Sequence, residues 1–143
     1  MRQWLYALLL AAFALPSNAG QSINIKDIEV HYSAFNSTFL TPQVARSYQL
    51  TRNGYSAILN ISVLDTASLG KPALEAHISG QVRNLIGQTR SLQFREIKED
   101  KAIYYLAEFR ISNEESLTFD IAIDAGNKGT GKLRFTQKFY VQP

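Results

Sequence analysis

The residues able to do chemistry in this 143-residue chain are few and scattered. It has two histidines, His31 and His77, and no cysteine. A zinc centre draws its ligands from set spacings such as His-x-His or Glu-x-x-His, and neither histidine has such a neighbour. Each also sits out of step with the apolar residues beside it, His31 between Val30 and Tyr32, His77 between Ala76 and Ile78. On a strand that parity points to solvent or a loop. The lack of cysteine removes a thiolate nucleophile, a disulfide framework and any Cys-ligated metal.

Ser33 and Ser37 lie close to His31 in sequence, which raises the question of a Ser-His-Asp hydrolase. That chemistry needs its nucleophile on a strained turn with a base in reach. No Gly-x-Ser-x-Gly elbow occurs, and neighbouring strand residues point apart. Glu114 and Glu115 form an acidic pair, but a glycosidase needs two carboxylates roughly 5–9 Å apart on one substrate. Gly126, Gly129 and Gly131 suggest a phosphate loop, yet such loops feed a helix N-terminus, and here an alternating run follows. A hairpin turn is expected instead. The chain is thus expected not to be an enzyme, with no catalytic residue, no metal and no cofactor.

The elements that would carry any site are strands. Apolar residues recur at period 2 in Ile28-Val30-Tyr32, Ala57-Leu59-Ile61-Val63, Leu74-Ala76-Ile78-Gly80-Val82 and Leu92-Phe94. The same holds for Ile103 to Ile111, Leu117 to Ile123, and Leu133-Phe135-Phe139-Val141, where Gln137 is the one polar break. Alternation of this kind puts one face on a core and one in water. Turns fall between the runs at Leu69-Gly70-Lys71-Pro72, Ile86-Gly87-Gln88, Lys98-Glu99-Asp100-Lys101 and Gly126 to Gly131. Thr41-Pro42-Gln43-Val44-Ala45-Arg46-Ser47-Tyr48 breaks the rhythm with an N-cap hydroxyl and Pro at the first helical position. The fold predicted is all-β: an immunoglobulin-like antiparallel sandwich of about seven strands, with one short helix between strands one and two.

Ahead of these strands stands a three-part leader. Arg2 precedes the apolar run Leu5 to Leu15, Pro16 breaks it, and Ser17-Asn18-Ala19 sets small residues at a cleavage site. The run is shorter than the roughly 20 residues needed to span a bilayer. Residues 1–19 are expected to be a cleaved signal peptide and 20–143 a single sandwich domain. The protein is expected in the periplasm, free of lipid because no Cys follows the cleavage site. Loss of Arg2 lowers the formal net charge from +3 to +2, with signs interspersed. No basic patch forms, so nucleic acid is not an expected partner.

Several segments together resemble a known family: His31-Tyr32-Ser33-Ala34-Phe35-Asn36-Ser37-Thr38-Phe39-Leu40-Thr41-Pro42, Leu59-Asn60-Ile61-Ser62-Val63, Arg83-Asn84-Leu85, Ile103-Tyr104-Tyr105-Leu106-Ala107 and Ile111-Ser112-Asn113-Glu114-Glu115. It is a domain-of-unknown-function family of small exported gammaproteobacterial proteins. The resemblance implies a Gram-negative periplasmic protein, an all-β fold and no established activity. It also implies genes often placed near those of methionine biosynthesis. It supplies no site residues.

What remains is a non-catalytic interaction module of the cell envelope. Its expected surface is Phe35, Asn36, Ser37, Thr38, Phe39, Leu40 and Pro42, where apolar residues sit among turn formers outside the alternating core. Asn60 and Arg83, out of step with their apolar neighbours, are expected to form a polar groove over one sheet. The expected partner is an envelope protein or a small ligand, without stable membrane insertion of the mature chain. The alternative is a small-molecule carrier holding its ligand between the sheets or under the helix. An enzyme or a small outer-membrane barrel is less favoured: a barrel must show lipid an uncharged face, and Leu92-Phe94-Glu96 with Arg95-Ile97 leave neither face of that strand clean.

Overall fold

The computed structural model describes residues 21–143. The leader and cleavage site expected at 1–19 therefore lie outside the described residues. Among the described residues nine strands form two antiparallel sheets: β1 (Gln21–Ile25), β2 (Ile28–Asn36), β3 (Ser56–Asp65), β4 (His77–Arg83), β5 (Thr89–Leu92), β6 (Arg95–Glu99), β7 (Ala102–Arg110), β8 (Glu115–Asp124) and β9 (Thr130–Phe139). One sheet runs β1-β2-β3-β7-β6 and the other β5-β4-β8-β9. With β1 set aside, these orders are the A-B-E-D and C′-C-F-G arrangement of an immunoglobulin-like sandwich. Helix α1 (Pro42–Ser47) lies between β2 and β3, capped by Thr41 Oγ1, which accepts from the Val44 N–H at 3.2 Å.

The strand count rises from about seven to nine for two local reasons. Gln21–Ile25, which lies ahead of the first alternating run, pairs with Ile28–Tyr32 through a two-residue turn in which Lys26 takes φ +50°. Only Ile23 and Ile25 mark its alternation, too short a run to stand out. The Leu92-Phe94 run is two strands. Thr89–Leu92 pairs with β4 and Arg95–Glu99 with β7, so the chain passes from one sheet to the other at Gln93 and Phe94. β4 also starts later than expected. Leu74 and Ala76 lie in a loop, where the Ala76 N–H donates to the Tyr105 hydroxyl at 2.8 Å rather than to a strand.

The inward parity read from sequence is the one observed. Val30, Leu59, Ile61, Val63, Ala107 and Phe109 face Val82, Leu117, Phe119, Ile121, Ile123 and Leu133 across the sheets. Phe119 is fully buried and stacks on Phe135 at 4.6 Å, while Phe109 meets it edge-on at 5.2 Å. A second, smaller cluster lies on the outer side of the five-stranded sheet. There Leu50, Ile58 and Leu106 are covered by Phe35, Leu40, Tyr48 and Tyr104. The α1 segment is thus a lid on the back of that sheet, and its apolar residues are what fix it there.

Neither sheet is one stretch of chain. The five-stranded layer takes its strands from 21–65 and 95–110, the four-stranded layer from 77–92 and 115–139.

Candidate functional site

β2 ends because Asn36 turns its side chain onto the backbone. Its Oδ1 accepts from the Thr38 N–H at 2.9 Å and from Thr38 Oγ1 at 2.8 Å. Its Nδ2 donates to the carbonyls of Gly54 at 3.1 Å and Tyr140 at 3.4 Å. Ser37, fully buried, donates to the Asn53 carbonyl at 2.7 Å and accepts from the Asn53 N–H at 2.9 Å. Arg52 Nε reaches the Leu40 carbonyl at 2.7 Å. The bonded side chains of Asn36 and Ser37 thus tie the loop to the segment ahead of β3 and to the chain end.

On this support Phe39 stands 71% exposed. Beside it Tyr140 is 51% exposed, held by the chain end: the Val141 N–H donates to Asn113 Oδ1 at 3.0 Å, and Gln142 N–H to the Gly54 carbonyl at 3.2 Å. Between the end of β2 and the end of β9 lies a cavity of about 570 Å³, lined by Ala34, Phe35, Phe39, Gln137, Phe139 and Tyr140. Its polar marker is Gln137, whose Nε2 donates to the Ala34 carbonyl at 2.8 Å.

The expected surface is thereby divided. Phe39 and Pro42 are exposed, and Thr38 and Leu40 are partly so. Phe35 is half-buried, and Leu40 packs on the cluster beneath α1. Asn36 and Ser37 are buried under the surface, where they hold it. Three further exposed apolar residues share this end of the sandwich and were missed in the sequence: Tyr55 ahead of β3, and Leu85 and Ile86 in the β4–β5 turn. Each is a large apolar residue inside turn chemistry, the same signal that marked Phe39.

The structure does not bring Asn60 and Arg83 together. Asn60 lies on β3, on the outer side of the five-stranded sheet, where its Oδ1 is buried without a partner. Arg83 belongs to the other sheet, 4.0 Å from Asp120 Oδ2, and Asp120 also holds Arg134 at 2.7 Å. The polar groove expected from parity fails because equal parity on two strands does not place them in one sheet.

Several of the remaining titratable groups are tied into local pairs. His31 Nε2 lies 2.5 Å from Glu29 Oε1, and Lys71 lies 3.2 Å from Glu29 Oε2. The bond to His31, then that to Lys71, holds the Glu29 carboxyl below its ordinary range. His77 is exposed on the opposite sheet. Glu115 caps the turn before β8, accepting from the Ser112 N–H at 3.1 Å, while Glu114 is exposed at φ +55°. Burial pushes the Tyr105 hydroxyl up to about 12, and it donates to Glu96 at 2.9 Å. Among the described residues no three His, Cys, Asp or Glu side chains gather closely enough to hold a metal ion, and no helix is long and apolar enough to cross a membrane.

Fold and site together define an antiparallel β-sandwich with an apolar, loop-built end. The chain belongs to the family described as Domain of unknown function (DUF4426), which it matches over residues 22–142. It is similar to a DUF4426 family protein of Pseudomonas aeruginosa PAO1, at 33% identity and a TM-score of 0.76, covering 87% of this chain and 98% of that one. A more distant likeness of fold is to FetP of uropathogenic Escherichia coli strain F11. The copper-bound variant of FetP shows 14% identity and a TM-score of 0.59, over 87% of this chain and 97% of that one. FetP as isolated shows 13% and 0.57, over 87% and 96%. No curated protein matches.

Proposed function

We propose that this protein is an exported, non-catalytic binding module of the cell envelope, working through the end of the sandwich that carries Phe39 and Tyr140. The observation that carries this reading is the exposed Phe39 ring, set on a loop whose buried polar groups are fully bonded. An apolar ring held rigidly in water gains contact energy on binding and loses little conformational freedom. The leader at 1–19 supports the periplasmic setting. Photo-crosslinking in cells from position 39, with position 132 on the opposite sheet as control, tests the reading. Trapping of one defined species from 39 alone is expected, and equal yield from both positions would count against it.

Copper, which the FetP variant binds, does not fit the donor set here. His31 shares the Glu29 carboxylate with Lys71, and His77 faces Asp124 across the strands, whose Oδ1 already accepts from the Gly126 N–H and Thr130 Oγ1. Small-molecule carriage has one observation in its favour: the unpartnered Asn60 Oδ1 belongs to a side chain lining a pocket of about 250 Å³ under α1, among Phe35, Tyr48 and Tyr104. A mass increment on the protein purified natively from cells would support that second reading.

A further inference from the structure

We propose that the seam between β2 and β9 receives an extended peptide strand from a partner protein, lengthening the five-stranded sheet along Ser33–Asn36. This rests on the binding reading of the same end of the molecule and names what binds there.

β1 covers only part of its neighbour. Its register runs from Ile25 opposite Ile28 to Gln21 opposite Tyr32. β2 continues through Ser33, Ala34, Phe35 and Asn36, and among the described residues no strand pairs with that stretch on the β1 side. The residues flanking a two-residue hairpin turn form a hydrogen-bonded pair, and bonding alternates from there. Ile28, Val30 and Tyr32 therefore turn their backbone groups to β1, and Ala34 and Asn36 turn theirs to the open seam. The bond from Gln137 Nε2 to the Ala34 carbonyl agrees with that direction. A side-chain amide here occupies the place where the N–H of an added strand would donate. Such a plug blunts an edge that would otherwise pair indiscriminately, and a better-fitting strand can displace it.

With the cleavage expected after Ala19, the amino end of the chain does not reach along the seam. Continuing the register past Gln21 would take four residues, and cleavage after Ala19 leaves Gly20 alone. The chemistry of the occupant follows from the walls. Main-chain pairing supplies affinity in strand addition, and pockets for alternate side chains supply selectivity. The cavity of about 570 Å³ between Ala34, Phe35, Phe39, Phe139 and Tyr140 takes apolar side chains at alternate positions. The partner segment is thus a short extended peptide, apolar at every second residue, with no Pro at the paired positions.

The test adds such a strand in cis. The mature chain is prepared with Thr-Val-Thr-Val ahead of Gly20, and a control carries Gly-Ser-Gly-Ser. Hydrogen exchange at the Ala34 amide should slow about tenfold with the first extension only. If that chain fails to fold, the blocked peptide acetyl-Thr-Val-Thr-Val-Thr-amide, added to the unaltered mature protein, gives the same readout. Equal exchange with both extensions, or no protection by the peptide, overturns the proposal. In cells, the Thr-Val extension should abolish crosslinking from position 39. Crosslinking that persists with the seam filled overturns the strand proposal and leaves the binding reading standing. No crosslinking from position 39 in the unmodified protein removes both.

Discussion

Ser37 Oγ and Ser56 Oγ lie 2.7 Å apart where both residues are buried, joining the start of the loop to the start of β3. Ser37 is also the partner of both backbone groups of Asn53. Ser37→Ala would leave these groups without their bonds in a place closed to water. The expected cost is about 1–3 kcal/mol, read as a lower denaturation midpoint with unchanged slope.

Phe39 and Asn36 should part company under mutation. Phe39→Ala removes a mostly exposed ring and should shift stability by less than about 0.5 kcal/mol. Asn36→Ala strips four bonds from the loop support and should cost about 1–3 kcal/mol. Thermal melts of the two variants beside the parent check this. A large loss from Phe39→Ala would mean that the ring serves the fold.

Phe109→Ala and Phe119→Ala each empty the centre of the aromatic cluster and should cost about 3–5 kcal/mol. The two rings touch, so the double variant should lose less than the sum of the singles. Urea unfolding of the three variants measures both points.

Acid should loosen the far end of the sandwich first. Asp65 accepts from Ser68 Oγ at 2.8 Å and from the Ala67 N–H at 2.9 Å, and lies 3.1 Å from Lys128 in the β8–β9 turn. The Ser68 bond, aided by Lys128, holds its carboxyl below the ordinary range. A carboxyl depressed in the folded state binds its proton first in the unfolded state. Its contribution is therefore complete above the unfolded value near 4 and drains away as pH falls through the lower, folded one. Asp65→Asn should be less stable than the parent at pH 7, and the gap should close below about pH 4. Denaturant midpoints from pH 7 to 3 give the comparison.

Gly54 has no room for a side chain: a Cβ there would fall 1.8 Å from the Gln142 carbonyl oxygen. Gly54→Ala should push the chain end off the loop and expose Tyr140 and Val141. Overpacking of this kind costs about 1–3 kcal/mol, and cleavage by carboxypeptidase should become faster.

The strand faces were legible in the sequence because period-2 burial leaves a direct imprint on residue type. Val30, Leu59, Phe109 and Phe119 all fall where alternation puts them. The helix was legible from Thr41 and Pro42 alone, since capping is local chemistry. Sheet membership was not, because it is decided by partners distant in the chain. Asn60 and Arg83 have the same parity and end on opposite sides of the molecule. The Leu92-Phe94 run hid a change of sheet, since Leu92 and Phe94 both pack on the core while the hydrogen-bond partners of the chain change between them. At the site, Phe39 was visible as an apolar residue among turn formers. The supporting role of Ser37 was not, because its partners Asn53, in the loop ahead of β3, and Ser56, at the start of β3, are docked by contacts distant in sequence.

The interleaving of the two layers has a consequence for how such a chain comes into being. A chain that emerges amino end first presents β2 and β3 while β7, the next neighbour of β3, is still about forty residues behind. Phe119 appears before Phe135 and Phe139, the rings it rests against. The final strand is therefore the keystone, and until it arrives the apolar face of β8 lacks two of its aromatic neighbours and β8 has an unpaired edge. Stalling or trimming within the last dozen residues should yield a sticky, unfinished half rather than a smaller working protein.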